Sequence, residues 1–191
     1  SDPIFIEEND FIENTLGACK APQIRLVEIS HYQDAFYTFP NGLAISEKEG
    51  WYVDTSRLKE RAHLYHSVAN LMLRWWLSER LQVANVQGAD MLRLALPEAL
   101  ALLLVQQQLG SEAVELIIEK KQDYYDKNRY NEPNAEPPLL LADGADYLEP
   151  NKGAIALYRM IERVGPAVFV QKTRAWLALS QDRLGTVKAY Y

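Results

Sequence analysis

The sequence predicts an α+β fold in which a small N-terminal sheet precedes a mostly helical part. Three observations predict it. Extended, alternating stretches are confined to residues 1–54. From Asp54 onward, long apolar runs with helical spacing take over. The 191 residues, 48% hydrophobic and 24% charged, suit a single globular domain with a sizeable core. Residues 1–191 are therefore read as one domain, with 1–54 the strand-rich part and 55–180 the helical part.

In chain order, residues 10–18 predict a short helix ending at Gly17. Residues 24–29 alternate apolar and polar side chains, as a half-buried strand does. A second extended stretch, 36–47, is broken by the turn signal Pro40-Asn41-Gly42, and residues 51–54 add a further short strand. Asp54 or Thr55 caps a helix over 57–78 whose second half is apolar nearly all round, so it belongs inside the domain. The next helix, 91–109, contains Pro97, which kinks it or marks its true start. A third helix begins at Ser111 and runs to about residue 128, with Glu119, Lys120, Lys121 and Asp123 as its solvated face. Residues 131–150 form a long loop rich in Pro, Asn, Asp and Gly, of the kind that often carries function. Two closing helices, 151–164 and Pro166–Leu179, are separated by Gly165-Pro166.

Composition excludes some functions. The net charge is −6 and no basic run exceeds Lys120-Lys121, which argues against a nucleic-acid partner. No apolar stretch approaches the roughly 20 residues that span a bilayer, so no transmembrane segment is expected. The single cysteine, Cys19, cannot form an internal disulfide and reads as a bystander thiol. The chain opens at Ser1 without a Met and shows no signal pattern, and it is read as a piece excised from a larger protein.

Four segments in register carry a resemblance: Asn70-Leu-Met-Leu-Arg-Trp-Trp76; Ala84-Asn-Val-Gln-Gly88 with the apolar helix after it; Asn151-Lys-Gly-Ala154 with Leu157-Tyr158; and the extended pair 25–29 and 39–47. Together they resemble the gluzincin zinc aminopeptidases, the family of membrane alanyl aminopeptidases. The likeness is nearest to the divergent peptidase-like domains of bacterial ABC-type transporter permeases. It implies a thermolysin-like catalytic-domain fold over most of the chain. It also implies an extracytoplasmic domain of a bacterial membrane protein, with other domains of the same polypeptide, a transporter among them, as partners.

The resemblance also implies a lost active site. Where the family writes H-E-x-x-H-Q-W-W, alignment on Trp75-Trp76 puts Ala69 and Leu73 at the two zinc-binding histidines and Asn70 at the general base. Two imidazoles one turn apart are needed to face one metal, and an amide cannot accept the proton of a metal-bound water. The third ligand falls on Leu94, with Glu98 one turn later matching the acid that supports the site from outside. The catalytic tyrosine falls on Pro150. The expectation is a site refilled with apolar side chains, Ala69, Leu73 and Leu94 together in the core, with no zinc or other cofactor. The family's substrate-binding edge strand falls on Gly42, Leu43, Ala44, Ile45, Ser46 and Glu47, the candidate peptide or partner edge.

Other side chains have plainer readings. His63 and His66 share a helix and would need a third ligand, Glu60 or Glu98, to hold a displaced metal; packing is the simpler reading. His31 has no neighbour by sequence. Arg74, inside an apolar run, reads as a buried charge to be paired with Glu98. Tyr124, Tyr125 and Tyr130 read as packing residues, and Trp75 and Trp76 as core anchors. Ser46 and Ser180 lack a base within reach. Two functions compete: a catalytically inactive peptidase-like module with a binding or structural role in a larger, membrane-associated protein, and an active zinc metallopeptidase with displaced ligands.

Overall fold

The computed structural model describes residues 3–18, 25–30, 36–39, 42–142, 145–180 and 184–190. Cys19, His31, Pro40 and Asn41 lie outside them. The first element is α1 (Pro3–Leu16), which starts well before residue 10 because Pro3 fits the first turn of a helix. It buries Ile12 and Leu16, four apart on one face, and ends at Gly17 with φ +103°.

Three strands follow: β1 (Arg25–Ile29), β2 (Phe36–Phe39) and β3 (Gly42–Ser46). Their order is β1-β3-β2, with β1 parallel and β2 antiparallel to β3, so that Val27 and Tyr37 both register with Ala44. The strand at Gly42 to Ser46 is thus the centre of the sheet, which corrects the expected edge. Leu43, Ala44 and Ile45 are buried and paired on both sides, and Ser46 is buried and paired with Ile29 of β1. Charge accounts for β1 at the edge. β3 carries no ionisable side chain, while Arg25 and Glu28 stand exposed on β1, where water can solvate them. Glu47 leaves the sheet to open the short helix α2 (Glu47–Gly50).

Residues 51–54 form no strand. Trp51 and Tyr52 are exposed, and Asp54 organises the next helix instead. The Asp54 carboxylate accepts from Ser56 N and Oγ, and Asp54 N donates to Glu60 Oε2 at 2.9 Å, which braces the turn before α3 (Leu58–Ser78); the N-cap itself is Arg57, not the expected Asp54 or Thr55. A wide π turn (Met91–Ala95) leads into α4 (Leu96–Leu109). Pro97 has no N–H to return to the preceding turn, and Leu96 N reaches back five residues to Met91 O. The same device recurs before α6 (Ala154–Val164), where the π turn Leu148–Gly153 contains Pro150. The two π turns pack together at Gly153. A Cβ there would sit 3.2 Å from both Ala95 Cβ and Met91 Sδ, a tight approach that a larger residue would enter only by displacing one of them. Between them runs α5 (Ser111–Asn131), and α7 (Pro166–Leu179) follows α6 with the predicted bounds. A last short helix, α8 (Val187–Tyr190), follows a bridge between Val83 and Gly185 that ties this end of the chain to the segment after α3.

The core lies between α3 and α4, flanked by α5 and α6. Every residue of α4 from Ala99 to Val105 is fully buried, which explains its lack of an amphipathic face. Trp75 and Trp76 are buried as expected, with the Arg80 guanidinium 4.7 Å from the Trp76 ring centroid. Among the described residues, no helix is long and apolar enough to cross a membrane. The chain is α+β, with a small sheet and a helical majority.

Candidate functional site

Three helices converge on one carboxylate, and the turn at Pro150 joins them through Lys121. Glu98 stands in the first turn of α4, and His66 and Asn70, four apart, share the α3 face opposite. Asn70 Nδ2 donates to Glu98 Oε1 at 2.8 Å. Lys121, from α5, donates to Glu98 Oε2 at 2.6 Å and to the carbonyl of Pro150 at 3.0 Å. His66 Nε2 lies 3.0 Å from the same Oε2. The side chains of His66, Glu98 and Lys121 are each only about a tenth exposed.

Burial alone would push the Glu98 carboxyl up. The Lys121 and His66 contacts overcome it and hold the group ionised, at about 2. Burial drives His66 down below the ordinary histidine value; Glu98 opposes this in part and Lys121 adds to it. The result near neutral pH is one anion, one cation and a neutral imidazole. His63, half-buried one turn before, is pushed down to about 4 by burial first and by the charges of Lys120, His66, Lys59 and Lys121. It opens with Ser67, Lys120 and Tyr124 onto a cleft of about 330 Å³ beside the ion pair.

The positions predicted to be refilled divide in two. Ala69 and Leu73 are buried at 0% and 1% exposure, within the core. Leu94 is only half-buried and outside the core, which corrects the expectation that all three pack together. It lies in the π turn, and a turn that takes in an extra residue rotates the count by about 100°. Glu98, not Leu94, is the α4 residue that meets Asn70. Pro150, the position given to the tyrosine, enters through its carbonyl.

Several readings are corrected here. Arg74 is exposed and does not pair with Glu98; it shares an outward stripe of α3 with Ser78, four residues on. Lys121 does not belong to the solvated face of α5, because it continues the buried stripe Val114, Ile117, Ile118. That periodicity is the signal in the sequence that marks it. Tyr124 and Tyr130 are exposed, at 49% and 91%. Tyr125 pins the long loop by donating to Glu136, which also pairs with Lys152. Glu47 contacts Glu28, whose carboxyl is pushed up by desolvation first and then by the Glu47 hydrogen bond and charge. Glu60 is committed to Asp54 and Arg57. Ser180 Oγ donates to Trp176 O, at the end of α7.

Chemically, the cluster is a closed knot. An ionised carboxylate with both oxygens engaged is a poor proton donor or acceptor near neutral pH. Among the described residues, no three of His, Cys, Asp and Glu converge as metal ligands would. Compared with protein-family models, curated proteins and solved structures, the chain matches none.

Proposed function

We propose that this chain is a peptidase-like domain of the gluzincin, thermolysin-like type, without peptidase activity, serving a binding or structural role within a larger protein. One observation carries the reading. Asn70, Glu98 and Pro150 come from three separate segments that the resemblance assigns to the general base, the acid of the next helix and the catalytic tyrosine. They are linked through one ion pair: Asn70 donates to Glu98 Oε1, and Lys121 donates both to Glu98 Oε2 and to the Pro150 carbonyl. That proximity supports the reading, with Glu98 in the place of the supporting acid rather than of the third ligand.

The remaining support is chemical. Ala69 and Leu73 hold no lone pairs for zinc, and the Asn70 amide cannot serve as a base. The displaced-ligand alternative draws no support from His66 and Glu60, since each is committed to another partner. A partner surface is sought on the loop that follows α5 rather than on β3. Its Leu140 and Leu141 are exposed at 44% and 49%, and Leu141 lines a hollow with Val86, itself 49% exposed. The proposed occupant is another domain of the same polypeptide, in a membrane transporter.

Zinc loading followed by dialysis should leave no stoichiometric metal, and aminoacyl and short-peptide substrates should not turn over. Chelator-sensitive turnover by the native protein would sink the reading. For the surface, hydrogen exchange should slow at residues 139–142 in the full-length protein relative to the isolated domain.

A further inference from the structure

Arg74 interrupts the apolar second half of α3 and is left exposed. Its surroundings are specific. Arg74, Leu77, Ser78 and Leu81 follow one helical stripe and form one wall of a pocket of about 350 Å³. Leu92 and Arg93, from the first π turn, and Thr38 of β2 also line it. That volume falls within the range of about 300–1,000 Å³ typical of small-ligand sites.

The charge of this pocket runs against the rest of the molecule. The chain carries −6 overall, yet the pocket is lined by two guanidinium groups and no acid among the described residues. Arg93 donates through Nη2 to the Val83 carbonyl at 3.2 Å and pairs through Nη1 with Asp90 at 3.7 Å, which leaves part of its guanidinium fork to the pocket. Arg74 has no ion-pair partner among the described residues. Guanidinium forks match carboxylate and phosphate oxygens in pairs, and their attraction is stronger beside a wall of leucine side chains than in open water. The leucines also indicate that the anion carries an apolar body, because a bare ion would leave them unused.

We propose that this pocket binds a small organic anion, a carboxylate or phosphate head on an apolar body, held between Arg74 and Arg93. The proposal does not depend on the peptidase-like reading, since neither arginine belongs to the Glu98 cluster.

Calorimetric titration with hexanoate and with phenyl phosphate tests it, with hexanol and inorganic phosphate as partial probes. One or both organic anions should bind saturably, and the tighter of the two identifies the head group. Hexanol and inorganic phosphate should each bind at least about tenfold more weakly. Arg74→Gln and Arg93→Gln should each lose about tenfold, the scale of one charge-assisted contact, while Lys127→Gln, on the exposed face of α5, should lose nothing. Both arginines are exposed, and circular dichroism of each variant checks that the fold is intact. The proposal is overturned if neither organic anion binds, if hexanol binds as well as hexanoate, if either arginine variant binds like the native protein, or if Lys127→Gln weakens binding equally.

Discussion

Two neighbouring regions of the α3–α4 interface are built on opposite principles. At Ala69 and Leu73 the interface is apolar and closed, held by dispersion and the removal of surface from water. At His66 and Asn70, on the same helix, it is polar and held by one carboxylate and one ammonium. The apolar region should lose stability by degrees as atoms are removed. The polar region is nearer to all or nothing, because removing either charge strands the other away from water. One helix therefore carries two kinds of robustness side by side.

The largest expected effect breaks the polar side. Lys121→Met leaves the Glu98 carboxylate buried without its counter-ion and should cost about 3–5 kcal/mol in urea unfolding. The double variant Lys121→Met with Glu98→Leu should recover most of that loss, since two apolar groups need no mutual compensation. If the single variant costs under about 1 kcal/mol, as exposed pairs do, the contrast between the regions disappears.

Next comes the apolar side. Leu73→Ala should cost about 2–5 kcal/mol, toward the lower end if α4 settles into the gap. A loss below about 0.5 kcal/mol, the surface range, would mean that α3 and α4 do not pack through this residue.

Acid sharpens the same contrast with a smaller effect. Glu98, held at about 2, contributes stability that is complete above the ordinary carboxyl value and is lost as pH falls toward 2. His63 and His66 are both depressed, so they too favour the fold above the ordinary histidine value and weaken it as pH falls through their folded values. All three act in one direction. Stability should decline in two stages, the first beginning near pH 6.5 and belonging to the histidines. His63→Gln should flatten part of that first stage and leave the later one, whereas Leu73→Ala should lower the whole profile without changing its shape.

Local chemistry was legible in the sequence, and long-range placement only in part. The bounds of α7 follow from Gly165-Pro166, because a proline acts within one turn, while α3 starts one residue from the expected place but with Arg57 rather than Asp54 or Thr55 at its N-cap. Pro97 and Pro150 announce a broken hydrogen bond, but a kink, a helix start and a π turn all satisfy a missing N–H, so the resulting rotation that moved Leu94 outward was not readable. The central place of β3 depends on which strands become its neighbours, and alternation within one strand carries no such information. Lys121 is the instructive miss. Its position on the buried stripe of α5 was in the sequence, but its charge made the solvated reading the natural one.

The Lys121 ammonium has one more consequence. A diffusible ion at a helix junction is governed by mass action, and its occupancy rises and falls with supply. A cation on a four-carbon stem fixed to α5 has no such concentration term. It cannot be chelated, exchanged or diluted, and it is present from the moment the chain is made. The charge that meets Glu98 at the junction of α3, α4, α5 and the turn at Pro150 is therefore fixed by covalent structure and pH.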